Sequence, residues 1–190
     1  MRILLGLLFS TSVFGIEFAP QREEDLPDPA LDIIYDGKDM VEVLVESWED
    51  VVKLNGNTIR FTFLQGYNYK KKQGFNRTLN PDGSIYYEEY SADYNLMVSR
   101  EEMMIAFEVF KKHPQVIKVL NQEGVPINLY GGFSFEDQQQ NMPCYKGNRC
   151  VHIMASTSEN SLVIHSIVKL NDLSVPYPMY DMEQFKRGKK

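Results

Sequence analysis

The side chains best able to do chemistry in this sequence are its histidines. His152 and His165 lie in two apolar runs separated by residues 157–160, and a hairpin turn there would place the two side chains directly opposite each other. Such paired side chains stand about 5 Å apart at Cβ, close enough to share a metal ion. Two imidazoles alone make a weak site, and the spacing offers no third ligand. The interpretations are therefore a metal site or a polar, half-buried cross-strand pair.

The two cysteines, Cys144 and Cys150, enclose a loop of five residues. In an exported protein this pattern predicts a disulfide. A redox site would favour the tighter Cys-x-x-Cys spacing, and a zinc site would need two more ligands nearby. The enclosed loop, with Tyr145, Lys146 and Arg149, is the candidate binding loop.

No catalytic or cofactor motif is evident in the sequence. It has no Gly-rich phosphate loop, no Gly-x-Ser-x-Gly elbow, no His-Glu-x-x-His pair and no acidic calcium loop. We therefore expect a protein that is not an enzyme and has no cofactor. The net charge of -6 argues against a nucleic-acid partner, because neutralising phosphates takes a basic surface.

The N-terminal residues have the order of a secretory signal peptide. Arg2 precedes an apolar run at 3–9, and small residues follow as far as Gly15. This run is shorter than the about 20 residues that span a bilayer, and no other stretch approaches that length, so no membrane span is expected. Residues 1–15 are thus predicted to be removed, and the mature protein to be secreted or periplasmic. The alternative is a buried N-terminal strand.

Regular structure is expected to begin after a proline-rich extended arm at 16–38. Asp39 and Glu42 form a capping box, and apolar residues then recur at helical spacing as far as the Asn-Gly pair at 55–56. This pattern predicts a helix. A strand through 40–45 is the alternative, because β-branched residues are dense there.

The rest of the first half favours strands. Residues 58–69 alternate apolar and polar side chains, which predicts a long strand. The sequence Asn-Pro-Asp-Gly at 80–83 is a strong turn signal between the runs 75–79 and 84–90. These two runs should form a hairpin.

Tyrosines are concentrated in this predicted sheet, beside Lys70, Lys71 and Lys72. They are Tyr67, Tyr69, Tyr86, Tyr87, Tyr90 and Tyr94. Aromatic-rich sheets bind glycans and peptides, but tyrosine is also a preferred strand residue whose hydroxyl stays in water, so both interpretations remain open. The tripeptide starting at Asn76 also fits an N-glycosylation acceptor.

The second half predicts helices followed by strands. Ser99 and Glu102 form a capping box that starts a helix, and Pro114 suits the first turn of a further one. The strand candidates are 125–135, with a bulge at the Gly-Gly pair 131–132, then 149–155 and 162–170.

Together these elements predict an α+β fold in which helices pack on one face of an antiparallel sheet. The sheet is either continuous or divided into two helix-plus-three-strand, cystatin-like units. In the second case the units are 39–98 and 99–178, followed by a basic tail at 179–190.

Several short motifs in the second half carry a family resemblance. They are Ser99-Arg100-Glu101-Glu102, His113-Pro114-Gln115-Val116, Tyr130-Gly131-Gly132-Phe133, Arg149-Cys150-Val151, Ile167-Val168-Lys169-Leu170 and Val175-Pro176-Tyr177-Pro178. Through them, residues 99–178 resemble the non-catalytic cystatin-like domain that precedes the catalytic part of copper amine oxidases, and related free-standing exported proteins. The chemistry of those oxidases lies in a separate domain that this chain is too short to hold. The resemblance therefore implies a fold and an interaction role, and no catalytic residue.

These observations favour a non-catalytic exported binding module with a protein or peptide partner. One alternative is an inhibitor of a secreted hydrolase that presents the loop 145–149 to an active site. Another is a small metal-binding exported protein that uses His152 and His165. An enzyme is a further alternative, because catalytic groups brought together only in three dimensions leave no sequence pattern.

Removal of the first fifteen residues can be tested directly. The N-terminus of the protein recovered from the exported fraction should lie at or near Ile16. A control carrying both Leu4→Arg and Leu5→Arg should stay in the cell uncut, because charge interrupts the apolar run that export requires. Intact Met1 on a soluble cytosolic wild-type product would contradict the prediction.

Overall fold

The computed structural model describes residues 15–94, 96–157, 159 and 161–180. The predicted signal peptide, apart from Gly15, and the part of the predicted basic tail from residue 181 onward lie outside the described residues. The described chain forms two antiparallel sheets, with a pair of short helices between them in the sequence.

The first sheet is a five-stranded meander in which each strand pairs with its neighbours in sequence. Its strands are β1 (Asp32–Asp36), β2 (Asp39–Leu54), β3 (Asn57–Asn68), β4 (Gln73–Leu79) and β5 (Ile85–Ser91). β2 and β3 are the longest strands, so beyond their pairing with β1 and β4 they continue as a two-stranded ribbon. The predicted strand at 58–69 and the hairpin around 80–83 are confirmed.

The helix predicted from residue 39 is wrong, because residues 39–54 form β2 and pair with β3 along most of their length. Asn55 and Gly56, which were expected to end the helix, form the two-residue turn between these strands, with φ of 51° and 82°. An Asn-Gly pair between apolar strands is the strongest short-range hairpin signal, and the β-branched residues of β2 add to its strand preference. Pairing between strands therefore outweighs the local capping pattern.

Two short helices follow the first sheet. α1 (Arg100–Lys111) starts with the predicted capping box, in which the Ser99 hydroxyl accepts from the Glu102 amide and the Glu102 carboxylate accepts from the Ser99 amide. α2 (Pro114–Leu120) has proline in its first turn, as predicted. Within the described ranges no helix has the length and apolar character needed to cross a bilayer.

The second sheet has four antiparallel strands in sequence order. They are β6 (Ile127–Phe135), β7 (Cys150–Thr157), β8 (Leu162–Lys169) and β9 (Ser174–Tyr177). The predicted bulge is present in β6, where the pairing with β7 shifts between Gly131 and Ser134. Sequence reasoning missed β9, because its four residues are too few to show an alternating pattern.

The main hydrophobic core lies between the two helices and the second sheet. Its largest fully buried members include Met103, Phe107, Phe110, Leu120, Ile127 and Ile153. Along β1 to β5, by contrast, the buried hydrophobic side chains among the described residues are Val43, Phe61, Tyr67 and Phe75. The first sheet is therefore a thin layer that depends on contacts outside itself to stay in place.

The predicted α+β class, with helices on one face of the sheet, is wrong. Strands account for 48% of the described residues and helices for 14%, so the fold is β-rich. The expected helix-plus-strands unit at 39–98 contains no helix among its described residues, and the expected arm at 16–38 already includes β1. The description as two helix-plus-three-strand units fails for the same reason.

Candidate functional site

An ion pair between Glu102 and Arg149 is buried where the two sheets meet. The two side chains are 0% and 3% exposed, respectively. The Arg149 Nε donates to Glu102 Oε1 at 2.9 Å, and a terminal guanidinium nitrogen donates to Oε2 at 2.9 Å. This is the bidentate arrangement in which a planar guanidinium matches a carboxylate.

Backbone and tyrosine groups complete this cluster. Arg149 also donates to the carbonyl oxygens of Leu96 and Met97, each at 2.7 Å. Glu102 accepts a further hydrogen bond of 2.5 Å from the hydroxyl of Tyr69, which directly follows β3. The end of β3, the segment before α1, α1 itself and the start of β7 thus converge on one charge pair.

The cluster holds its groups in fixed ionisation states. Burial opposes the charge on Glu102, but the charge and hydrogen bonds of Arg149 outweigh it, so the pKa of this carboxyl is lowered. Burial likewise opposes the charge on Arg149, and Glu102 raises its pKa in spite of that. Burial and the Glu102 charge hold the pKa of Tyr69 well above its usual value. Burial raises the pKa of Tyr67 to about 12. At neutral pH the phenols are therefore neutral and the pair is charged.

The predicted disulfide between Cys144 and Cys150 is present. Both cysteines belong to a small buried cluster with Ile167. The Cys144 amide donates to Oδ2 of Asp137 at 2.8 Å. The disulfide thus attaches the base of the candidate binding loop to the start of β7.

The candidate binding loop packs on the first sheet. Lys146 forms an ion pair with Asp93, and a loop carbonyl accepts a hydrogen bond of 2.5 Å from the Tyr67 hydroxyl. Of the three candidate side chains, Lys146 is exposed, Tyr145 is half-buried and Arg149 is buried. Arg149 therefore serves the junction between the sheets, and the loop that the inhibitor hypothesis relied on is held against the first sheet.

His152 and His165 lie on the same face of the second sheet and contact each other. The distance between His152 Nδ1 and His165 Nε2 is 2.8 Å. The expected directly opposite pairing is wrong, since His152 pairs with Ile167 and His165 pairs with Met154. A bulge near the end of β7 contributes to this shift, which moves the register by two positions and so keeps both rings on one face.

Aromatic rings surround this histidine pair. The ring of His152 lies 5.2 Å from that of Phe135, and the ring of His165 lies 5.2 Å from that of Tyr180. Within the described residues no three side chains of the His, Cys, Asp or Glu type come together as metal ligands. What the two imidazoles form here is a hydrogen-bonded pair beside aromatic rings.

A cleft of about 760 Å³ separates the N-terminal arm from β6, an edge strand of the second sheet. The arm pairs with Ile127 through backbone hydrogen bonds of 2.9 Å that involve Glu17 and Ala19. It then leaves the strand and returns where Pro27 lies beside Gly132. The cleft is the gap between these two contacts.

Inside the cleft, the edge of β6 has backbone groups that no described residue bonds. Alternate residues of a strand direct their N–H and C=O groups to the same side, so those of Leu129 face the arm side as those of Ile127 do. Ile127 is bonded to the arm, whereas no described residue bonds Leu129 there.

Sequence reasoning missed this cleft because it depends on where the arm docks. In the sequence, the cleft is indicated only by the prolines that interrupt the arm.

No protein-family model matches the chain, and no curated protein matches it either. The resemblance of residues 99–178 to the cystatin-like domain of copper amine oxidases therefore stays a prediction. Function has to be inferred from the geometry of this chain.

Changing Glu102 to Gln is expected to destabilise the protein by about 3–5 kcal/mol, because it leaves Arg149 charged and buried without its counter-ion. The matched control is Glu108→Gln, an exposed position on the same helix whose lysine pairs are worth about 0–1 kcal/mol. Urea unfolding followed by the fluorescence of Trp48, the single tryptophan, measures both variants. A loss no larger than that of the control would contradict a central role for the pair.

The pH dependence of stability gives a second readout for the same variant. The pKa of Glu102 is lower in the folded chain than its ordinary value of 4.5, so the unfolded chain binds more protons as the pH falls. The stabilisation is complete above about pH 4.5 and is lost as the pH falls through the folded pKa. Between about pH 6 and pH 3 the wild type should therefore lose more stability than Glu102→Gln. If the free energy of unfolding changed with pH in the same way for the wild type and for Glu102→Gln, the prediction would be contradicted.

Proposed function

We propose that this protein is an exported, non-catalytic interaction module that binds a short extended peptide segment of a partner protein in the cleft between its arm and β6. The observation that carries the proposal is the backbone of Leu129, whose N–H and C=O groups face this cleft and are bonded by no described residue there. A strand edge with free N–H and C=O groups is a template for pairing with another chain.

A location outside the cytoplasm, secreted or periplasmic, is part of the proposal. The order of residues 1–15 supports it, because that order is typical of a signal peptide. The disulfide between Cys144 and Cys150 supports it as well, because disulfides form and persist in oxidising compartments.

The cleft limits the length of the bound segment. Between the arm contacts at Ile127 and Gly132, the edge is open over residues 128–131. Four strand residues span about 13 Å, so a guest segment of about four residues can pair there. The arm blocks the edge on both sides of this window. The edge therefore accepts a short guest and not an open-ended stack of strands.

The side chains around the cleft favour a guest of mixed polarity. Arg22 and Asp25 on the arm line the cleft and pair with each other at 2.8 Å, so their charges balance. Asn128 and Ser156 add an amide and a hydroxyl on the sheet side. Backbone pairing would supply most of the affinity, and these neutral groups would add a modest side-chain preference.

A displayed library of short random peptides, selected on the immobilised mature protein, tests this proposal. The tightest binder is then titrated into Leu129→Pro, which removes the N–H group facing the cleft and leaves the β6–β7 ladder intact. The matched control is Leu129→Ala, which also loses the buried leucine side chain but keeps the N–H group. We expect binding by the proline variant to be about tenfold weaker than by the alanine variant.

Hydrogen exchange gives a readout on the unaltered protein. Peptide binding should slow exchange of the Leu129 amide, while the Asn128 amide, which faces β7, should change little. Equal affinity of the two variants, or an unchanged exchange rate at Leu129, would refute pairing at this edge.

A further inference from the structure

The strand register places two rows of side chains next to each other on one face of the first sheet. The aromatic row crosses four strands through Trp48, Phe63, Thr78 and Tyr87. The polar row crosses the same strands through Glu46, Gln65, Asn76 and Glu89. Since the rows are two residues apart along each strand, they are separated by about 7 Å, and each spans about 14 Å.

The aromatic row is open to solvent. Trp48 is 43% exposed and Tyr87 is 52% exposed. The Trp48 ring stacks on that of Phe63, with centroids 5.4 Å apart and planes within 11° of parallel. The two rings thus cover one face of each other, and their outer faces and edges are left for a ligand.

The polar row has hydrogen-bonding groups in fixed positions. The Glu89 carboxylate accepts from the hydroxyls of Tyr87 and Tyr94 and from the Asn76 amide. The Asn76 Oδ1 is buried and has no hydrogen-bond partner among the described residues. Asn76 stands between Gln65 and Glu89 in this row. A ligand hydroxyl that reaches its Oδ1 after a shift of the covering side chains would satisfy an acceptor that no described residue bonds.

We infer that this face binds a neutral glycan, with pyranose rings stacked on the aromatic row and their hydroxyl groups bonded to the polar row. A pyranose has a face of C–H groups that packs on an aromatic ring, and a rim of hydroxyls that pair with carboxylates and amides. The separation of the two rows allows a pyranose ring to lie on the aromatic row while its hydroxyl groups reach the polar row. The site lies on a different sheet from the peptide cleft and does not depend on it.

Other ligand classes fit this face less well. Glu46 and Glu89 lie in the polar row, and Asp50 lies on the same face beside Trp48, so phosphate and sulfate groups would be repelled. A lipid chain would cover Gln65 and Asn76 without offering them hydrogen bonds, which is costly. A neutral polyhydroxylated ligand satisfies both rows.

Trp48 allows the inference to be tested without a label, since it is the single tryptophan and belongs to the aromatic row of the site. The mature protein, produced without N-glycosylation so that Asn76 is unmodified, is titrated with neutral hexasaccharides of glucose, mannose, galactose and N-acetylglucosamine. We expect at least one of them to change the Trp48 emission in a saturable way. A sulfated oligosaccharide of the same length should leave it unchanged.

Variants then locate the site by calorimetry with the hexasaccharide that binds. Trp48→Ala and Gln65→Ala, one from each row, should each weaken binding about tenfold, the equivalent of one aromatic or hydrogen-bonding contact. Val51→Ala is the matched control, because Val51 is 50% exposed on the opposite face of the same strand. It should bind as the wild type does.

Three results would overturn the inference. One is the absence of any saturable change in Trp48 emission with all four neutral hexasaccharides. Another is a loss of binding in the Val51→Ala control as large as that in Trp48→Ala and Gln65→Ala. The third is a concentration-dependent dimer, seen by sedimentation, in which Trp48→Ala restores the monomer. That result would assign the face to a second copy of this chain.

Discussion

A buried charge pair sets the constraint on which the rest of this structure depends. Glu102 and Arg149 can be buried only when both are fully bonded, since an uncompensated buried charge costs several kcal/mol. Their partners come from Tyr69 after β3 and from the carbonyls of Leu96 and Met97 before α1. Bonding the pair completely therefore fixes the first sheet, α1 and the second sheet relative to one another.

The two proposed binding surfaces are the parts of the sheets that the core does not cover. The helices cover one face of the second sheet, and the arm covers its β6 edge except around Leu129. The first sheet is anchored at the end that carries Tyr67 and Tyr69, where the loop and the charge pair contact it. Its other end, with Trp48 and Tyr87, is left open. Anchoring at one end thus leaves the face at the other end uncovered.

Features set by neighbouring residues could be predicted from the sequence, and features set by distant pairing could not. The capping box at Ser99 and the turn at 80–83 depend on contacts within a few residues, and both were correctly predicted. β2 was predicted as a helix, with a strand through 40–45 as the alternative, because its apolar spacing fits a helix when its partner β3 is ignored. Three features depend on how distant segments pair and dock: the ion pair of Arg149 with Glu102, the arm cleft and the two rows of the open face. Patterns along a single sequence do not reveal such pairing.

Native-state hydrogen exchange in low denaturant tests most directly whether the charge pair joins the two sheets into one cooperative unit. If it does, the slowest amides of β3 and of β7 should open with the same free energy in the wild type. In Glu102→Gln, the β3 amides should open at a lower free energy than those of β7. Separate opening of the two sheets in the wild type, with no change in the variant, would contradict this coupling.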